Sequence, residues 1–224
     1  MHSEAERDDN NTGDPVQSST RSDAYPFPLD AIVLAGTHQN PKRLIGGRNK
    51  AFLEMSGRAL ILYVIDALLD AERVGQIFGV GPARDVLEVL TGYSSKVQVI
   101  DQRGKMLANC WAGIEASEDR HRHETVMPVH ERPLLIISSD LPLVTSCSID
   151  DVIRRCAIQD NAATEPYAIL AGVVDEPGVR PFHPDNENPG IKRPFVELAF
   201  GRLRLANIYV GRPRKLANQE FLQT

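Results

Sequence analysis

Residues 31–36 read AIVLAG, a continuous apolar run that ends in a glycine. A run without polar alternation is typical of a strand covered on both faces, as in a parallel sheet with helices on either side. Similar apolar runs recur along the chain. We therefore predict further strands over residues 76–80, 97–100, 134–139 and 167–174.

Segments with helical spacing separate these predicted strands. Apolar side chains recur at intervals of three and four residues in the segments 60–71, 107–114 and 149–156. Alternating strands and helices predict an α/β fold with three layers, α/β/α, around a mostly parallel sheet. In such a sheet ligands bind beyond the carboxyl ends of the strands, so we expect functional residues there.

Length and composition favour one intracellular domain. The 224 residues are 42% hydrophobic and 25% charged, which is typical of a globular protein with a buried core. The chain lacks the run of about 20 apolar residues that a membrane helix needs, and its N-terminus lacks the layout of a secretory signal. Three cysteines, Cys110, Cys147 and Cys156, form no CxxC pair, which argues against a zinc knuckle or a disulfide framework. We expect a cytoplasmic protein.

The net charge of −5 is unevenly distributed. Residues 1–28 hold six acidic and two basic side chains with few aliphatic ones, so we expect a disordered acidic tail followed by one catalytic domain over residues 29–224. Residues 191–215 hold seven basic side chains and one acidic one. This basic stretch favours an anionic ligand, and we expect a phosphate-bearing small molecule rather than a nucleic acid.

A polar loop, residues 36–50, follows the first predicted strand. It contains four basic residues and three glycines, a composition that suits phosphate binding and equally suits a solvated surface loop. It is not a P-loop, because Ala51 follows Lys50 where Ser or Thr is required. The stretch GVGPAR at residues 79–84 is not a dinucleotide fingerprint, because Arg84 stands where a small residue is needed.

The first strand, the basic loop, NKAFL at residues 49–53 and SGRALI at residues 56–61 together resemble the N-terminal signature of MobA-like nucleotidyltransferases. This broad family includes molybdenum-cofactor and sugar-phosphate nucleotidyltransferases. The chain departs from the pattern at Thr37, which replaces a second glycine, at Asn49, and in a loop that is about four residues longer. The resemblance implies the nucleotide-diphospho-sugar transferase fold of the GT-A type. It also implies catalytic roles for Lys50 and for a loop arginine, with Arg43 and Arg48 as the two candidates. Nucleotide binding is implied for Leu34, Ala35, Gly36 and Thr37.

Residues 136–144 read IISSDLPLV and resemble the strand of this family that ends in Asp-x-Pro, where the aspartate holds the catalytic magnesium. The resemblance therefore implies a Mg²⁺ cofactor at Asp140, although an aspartate after a buried strand also caps turns. By position, Asn207 is implied as the second metal ligand. The basic residues implied for binding the acceptor phosphate are Lys192, Arg193 and Arg204.

Residues 101–114 resemble the loop and helix that follow the base-contacting strand of the family, which implies nucleotide contacts for Asp101 and Asn109. Small residues from Asn109 to Ala116 form a helix face that a ligand or a strand can approach closely.

The resemblance is weakest over residues 118–132. We interpret His121 and His123 in that stretch as parts of an exposed insertion rather than a metal site.

These features predict a Mg²⁺-dependent nucleotidyltransferase. It would transfer a nucleoside monophosphate from a nucleoside triphosphate to a phosphorylated small molecule and release pyrophosphate. Two other classes stay open. One is a catalytically inactive nucleotide-binding or regulatory module of the same fold, which Thr37 and the long loop favour. The other is a glycosyltransferase that uses a nucleotide sugar, which would usually carry Asp-x-Asp where this chain has DLP at residues 140–142.

Overall fold

The computed structural model describes residues 22–37, 45, 47–184, 189, 194–199 and 201–216. The strands are β1 (Leu29–Leu34), β2 (Glu54–Met55), β3 (Arg58–Ala59), β4 (Val74–Gly81), β5 (Val97–Asp101), β6 (Leu134–Ser138), β7 (Ile169–Asp175), β8 (Val196–Leu198) and β9 (Gly201–Gly211). The α-helices are α1 (Leu60–Leu69), α2 (Ala83–Val89), α3 (Met106–Arg120), α4 (Ser146–Ala162) and α5 (Glu176–Val179). Short 3₁₀ helices span Lys50–Phe52, Val129–Glu131, Arg180–Phe182 and Pro213–Lys215.

In the described part of the chain a seven-stranded sheet has the order β5-β4-β1-β6-β9-β7, and β8 also pairs with β9. Strands β5, β4, β1 and β6 are parallel to their neighbours in this series. Strand β9 runs antiparallel to β6, β7 and β8. The predicted mostly parallel sheet is therefore confirmed, whereas β9 was not among the predicted strands.

Helices cover both faces of the sheet. On one face Ile61 of α1 and Ile149 of α4 share a buried cluster with Val33 of β1. On the other face Ala112 of α3 clusters with Ile32 of β1. Consecutive residues of β1 thus enter two different cores, which explains why its sequence shows no polar alternation. The predicted α/β/α layers are confirmed.

The small-residue face of α3 is the face that packs on the sheet. A Cβ atom added to Gly113 would lie 2.6 Å from Ile32 Cγ2 and 3.1 Å from Val80 Cγ2. Only a residue without a side chain allows the helix this close to β1 and β4. A strand, rather than a ligand, therefore lies against Gly113.

The segment that precedes β1 attaches to the domain. The hydroxyl of Tyr25 donates a hydrogen bond of 2.7 Å to Asp160 in α4. The guanidinium of Arg132 lies 3.8 Å from the ring centroid of Phe27. These contacts hold the end of the predicted acidic tail, whose residues 1–21 lie outside the described part of the chain.

None of the described helices has the length and hydrophobicity needed to cross a membrane.

The interpretation of His121 as part of an exposed insertion is wrong, whereas His123 is exposed as expected. His121 is 8% exposed and lies at the amino edge of the sheet. Its Nε2 lies 2.8 Å from Asp30 Oδ2 and its Nδ1 lies 2.5 Å from Glu124 Oε1. Ser117 donates a further hydrogen bond of 2.7 Å to Asp30. The histidine therefore links the start of β1 to the end of α3.

The Glu124→Gln variant tests this link through its pH dependence. The hydrogen bond with His121 lowers the pKa of the Glu124 carboxyl below its ordinary value of 4.5. A carboxyl whose folded pKa is lowered stabilises the fold above its unfolded pKa, and this contribution disappears as the pH falls through the folded pKa. We expect the urea midpoint of the variant to be lower than that of the wild type at pH 7. Equal differences at pH 7 and well below pH 4.5 would contradict this assignment.

Candidate functional site

Three chain segments meet at the carboxyl ends of β1 and β6. Leu34, the last residue of β1, pairs with Ser138 at the end of β6. Its carbonyl then accepts a hydrogen bond of 3.2 Å from the backbone N–H of Ser139. Strand β9 runs in the opposite direction, and its Ile208 pairs with Ile137. Asn207, adjacent to Ile208, therefore reaches the same edge of the sheet, which brings both predicted metal ligands there.

Lys50 and Asp140 lie side by side at this edge. Lys50 Nζ is 3.6 Å from Asp140 Oδ2, and the two side chains are 45% and 26% exposed. Ser138 donates a hydrogen bond to the other oxygen of Asp140, Oδ1. The second oxygen, Oδ2, faces the ammonium group, and the side chain is partly exposed. These contacts of the Asp140 carboxylate are not those of a residue that only caps a turn. The fold thus joins the lysine of the first predicted motif to the aspartate of the second.

The side-chain amide of Asn49 makes hydrogen bonds through both its nitrogen and its oxygen. Its Nδ2 donates to the carbonyl of Ala35 at 2.8 Å and to Thr37 Oγ1 at 3.2 Å. Its Oδ1 accepts a hydrogen bond of 3.0 Å from the N–H of Ala51, which caps the 3₁₀ helix that begins at Lys50. The amide therefore links the end of β1 directly to the turn that carries Lys50. Sequence reasoning noted Asn49 only as a departure from a pattern, although asparagine before a helical turn is a capping signal.

Gln102 also contacts the segment that follows β1, at Thr37. Its Oε1 accepts a hydrogen bond of 2.8 Å from the N–H of Thr37. The N–H of Ala35 donates to the carbonyl of Val80 at 2.8 Å. Two backbone N–H groups of the predicted nucleotide-binding segment, those of Ala35 and Thr37, therefore already donate within the protein. The sequence contained no signal for Gln102, because its partner lies 65 residues away.

The residues predicted to contact the nucleoside lie near this segment. Asn109 is 3% exposed, accepts a hydrogen bond of 2.7 Å from the N–H of Arg103 and donates to the carbonyl of Gly104 at 3.3 Å. A Cβ atom on Gly36 would lie only 2.3 Å from Asn109 Nδ2. Asp101 Oδ1 accepts from the N–H of Ala83 at 3.0 Å, which stabilises the start of α2. Gly36 is thus required for the close approach of α3 to the end of β1.

Among the basic residues predicted besides Lys50, Arg48 and Arg204 belong to the described part of the chain. Arg43, Lys192 and Arg193 lie outside the described residues. Arg48 is exposed two positions before Lys50, and its backbone pairs with that of Ile45. Arg204 lies on β9 opposite Val174.

Other arginines of the basic stretch 191–215 form ion pairs within the chain. Arg202 pairs with Glu176 at 2.9 Å, and Arg214 pairs with Glu118 at 2.7 Å. Arg212 and Asp160 form a buried pair at 2.7 Å. Counting charges along the sequence could not show this, because the acidic partners lie 26, 96 and 52 residues away. The positive charge that the stretch could offer to an anionic ligand is therefore smaller than its net charge indicates.

The donor set at this edge suits a hard cation that also binds phosphate. Among the described residues no group of three or more His, Cys, Asp or Glu side chains gathers at one point. Magnesium in phosphate-binding sites is commonly held by one or two carboxylates together with substrate phosphates and water. The carboxylate of Asp140 and the amide oxygen that Asn207 can supply fit this pattern, and they do not fit a site made of protein ligands alone.

The fold of the chain is similar to those of solved structures. A hypothetical transferase from Thermus thermophilus is 22% identical, with a TM-score of 0.56; the match covers 83% of this chain and 66% of that one. The 4-diphosphocytidyl-2C-methyl-D-erythritol synthase from Anaerococcus prevotii is 12% identical, with a TM-score of 0.54 and coverage of 88% and 76%. No curated protein sequence matches the chain significantly. The similarities define a nucleotide-sugar transferase-like α/β fold.

The family follows from the sequence. The model of the MobA-like NTP transferase domain matches residues 31–177, about two thirds of the chain. The chain belongs to this family, as the resemblance of its motifs implied. The matched range contains Lys50 and Asp140, whereas Arg204 and Asn207 lie beyond it.

Two substitutions of Asn49 separate its capping contact from its link to β1. Asn49→Asp keeps an acceptor for the N–H of Ala51 but loses both Nδ2 hydrogen bonds, so we expect a loss of about 1 kcal/mol in unfolding free energy. Asn49→Ala loses the cap as well, and we expect about 2 kcal/mol. Urea denaturation measures both. Equal stability of Asn49→Asp and the wild type would show that the link to Ala35 and Thr37 contributes nothing.

Proposed function

We propose that the chain is a Mg²⁺-dependent nucleotidyltransferase that moves a nucleoside monophosphate from a nucleoside triphosphate to a phosphorylated small molecule. The observation that carries this proposal is the 3.6 Å separation of Lys50 Nζ and Asp140 Oδ2 at the carboxyl edge of the sheet. A cation for phosphates and a carboxylate for a metal are adjacent there. Membership of the MobA-like NTP transferase family supports the same reaction class.

The reaction joins two anions. An oxygen of the acceptor phosphate attacks the α-phosphorus of the nucleotide, a new P–O bond forms, and the bond to the β-phosphate oxygen breaks as pyrophosphate leaves. Positioning and charge neutralisation dominate such a transfer. No general base is needed, because an acceptor phosphate is already ionised at neutral pH.

Lys50 and a loop arginine would bind the triphosphate. Lys50 is fixed by the Asn49 cap while its ammonium group stays half exposed. Arg48 is the arginine of the pair that lies within the described residues, and Arg43 is the other candidate. The segment from Leu34 to Thr37 would lie along the nucleotide, with Asp101 and Asn109 toward the nucleoside. A phosphate that uses the N–H of Thr37 would displace Gln102 from it.

Asp140 and Asn207 would hold Mg²⁺. The ion, when bound, supplies positive charge that offsets the repulsion between the phosphates and the charge that develops as they react. Lys192, Arg193 and Arg204 would hold the acceptor phosphate.

The cysteines Cys110, Cys147 and Cys156 are free, as in a reducing compartment, and we propose that the protein acts in the cytoplasm.

Pyrophosphate release tests the activity. Each of the four common nucleoside triphosphates is incubated with sugar, polyol and cofactor phosphates, with and without Mg²⁺. Metal-dependent release that requires both a nucleotide and an acceptor supports the proposal. Tight nucleotide binding without turnover on any acceptor would favour the inactive binding module instead. Transfer of a sugar from a nucleotide sugar would favour the glycosyltransferase.

The Lys50→Ala variant should lose most turnover and little stability. Removing a charge that neutralises a reacting phosphate typically lowers the rate by roughly 100-fold or more, and a side chain exposed to this degree contributes little to folding. The rate of pyrophosphate release and the urea midpoint measure the two effects. Lys215→Ala, an exposed lysine that follows β9 at the opposite edge, is the matched control. Normal turnover in Lys50→Ala would contradict the assignment.

The Asp140→Asn variant should need more Mg²⁺ for the same rate. Replacing a carboxylate by an amide removes the charge that favours a divalent cation. The Mg²⁺ concentration that gives half of the maximal rate is compared with that of the wild type and of Asp70→Asn, an exposed aspartate at the end of α1. Identical metal titrations for Asp140→Asn and the wild type would remove Asp140 from the proposed metal site.

A further inference from the structure

We infer, on the basis of the proposed transferase activity, that the acceptor has an apolar body attached to its phosphate and that this body binds in a groove beside Asp140. The groove has a volume of about 420 Å³ and lies between the loop after β6, helix α4 and strand β9. This volume is within the range of small-molecule sites, about 300–1,000 Å³. Besides Pro142, the apolar side chains that line it in the described part of the chain are Leu141, Leu143, Val144, Val152, Ala206 and Ile208.

The position of the groove assigns it to the acceptor rather than to the nucleotide. Strand β6 has β1 on one side and β9 on the other. Lys50 and the end of β1 approach Asp140 from the β1 side, whereas Ala206 and Ile208 of β9 line the groove. The two residues from β9 also flank Asn207. A molecule in the groove would therefore meet the triphosphate at Asp140 from the opposite side.

The polar groups of the groove leave few partners for a hydroxylated acceptor. Within the described part of the chain, the polar residues that line it are Asp140 and Ser148. The hydroxyl of Ser148 donates to the carbonyl of Thr145 at 2.8 Å and accepts from its N–H at 3.0 Å, as part of the capping box of α4. Each sugar or polyol hydroxyl buried here without a partner would lower affinity roughly tenfold.

Leu143 supplies the apolar surface that such an acceptor would cover. It follows Asp140 by three residues and is 83% exposed. Covering such an exposed apolar side chain with a ligand removes apolar surface from water, which favours binding. Burial of roughly 60 Å² of apolar surface raises affinity about tenfold. The groove therefore favours a phosphomonoester whose body is a hydrocarbon or an aromatic ring over a sugar or polyol phosphate.

Two probes of equal charge test this preference without requiring turnover. Phenyl phosphate and glycerol 3-phosphate are titrated into the full chain with Mg²⁺, and binding is measured by calorimetry. We expect phenyl phosphate to bind about tenfold more tightly. Leu143→Ser should remove most of this preference. Leu87→Ser, the same change at a leucine of α2 that is 57% exposed and does not line the groove, should preserve it.

The outcomes distinguish this inference from the proposed function. Equal binding of the two probes, absence of phenyl phosphate binding, or an unchanged preference in Leu143→Ser would overturn the inference. Displacement of phenyl phosphate by a nucleoside triphosphate, with weaker triphosphate binding in Leu143→Ser, would make the groove a nucleoside site and would also overturn it. Preference for phenyl phosphate without pyrophosphate release from any nucleotide would support the groove assignment and contradict the transferase. Release with glycerol 3-phosphate as efficient as with phenyl phosphate would contradict the groove assignment alone.

Discussion

Strand β1 is buried on both faces and hydrogen-bonded on both edges, and this position determines where the chain can bind a ligand. Its neighbours β4 and β6 are both parallel to it. After β1 the chain adds β4 and β5 on one side of this strand and later returns to add β6 on the other side. Such a reversal of strand order leaves a crevice beyond the carboxyl ends of the strands. Thr37 and Asp140 follow the two central strands into this crevice. The apolar core and the candidate site are therefore consequences of one arrangement.

The two positions at which the first motif departs from its family pattern contact each other. Thr37 Oγ1 accepts a hydrogen bond from Asn49 Nδ2, and the same amide group binds the carbonyl of Ala35. A change at one position is therefore matched by a donor or an acceptor at the other. This contact fits an ordered strand end that supports Lys50, and it weakens the argument that Thr37 marks a degenerate loop.

The ion pairs of the chain differ in how open their charges remain. Arg212 and Asp160 are almost fully buried, and their charged groups lie 2.7 Å apart. Each therefore neutralises the other inside the fold, at the amino edge of the sheet. Lys50 and Asp140 are further apart and partly exposed, so both can exchange their mutual contact for a ligand at little cost in desolvation. Of these two pairs, the one that can exchange its contact for a phosphate or a metal is therefore the pair at the carboxyl edge, beside the apolar groove.

Local sequence determined the elements that carry an apolar run or a helical spacing, and the motif residues, because each depends on neighbours along the chain. The strand at residues 31–36, the helical spacing around Leu60 and the Asp-x-Pro after β6 all followed from such patterns. Tertiary structure alone decided that β9 inserts between β6 and β7, that His121 is buried against Asp30, and that Gln102 holds Thr37. These contacts join residues that are distant along the chain, and no periodicity or composition records which distant partner a polar side chain meets. The partners become definite only when the apolar core places the elements beside one another.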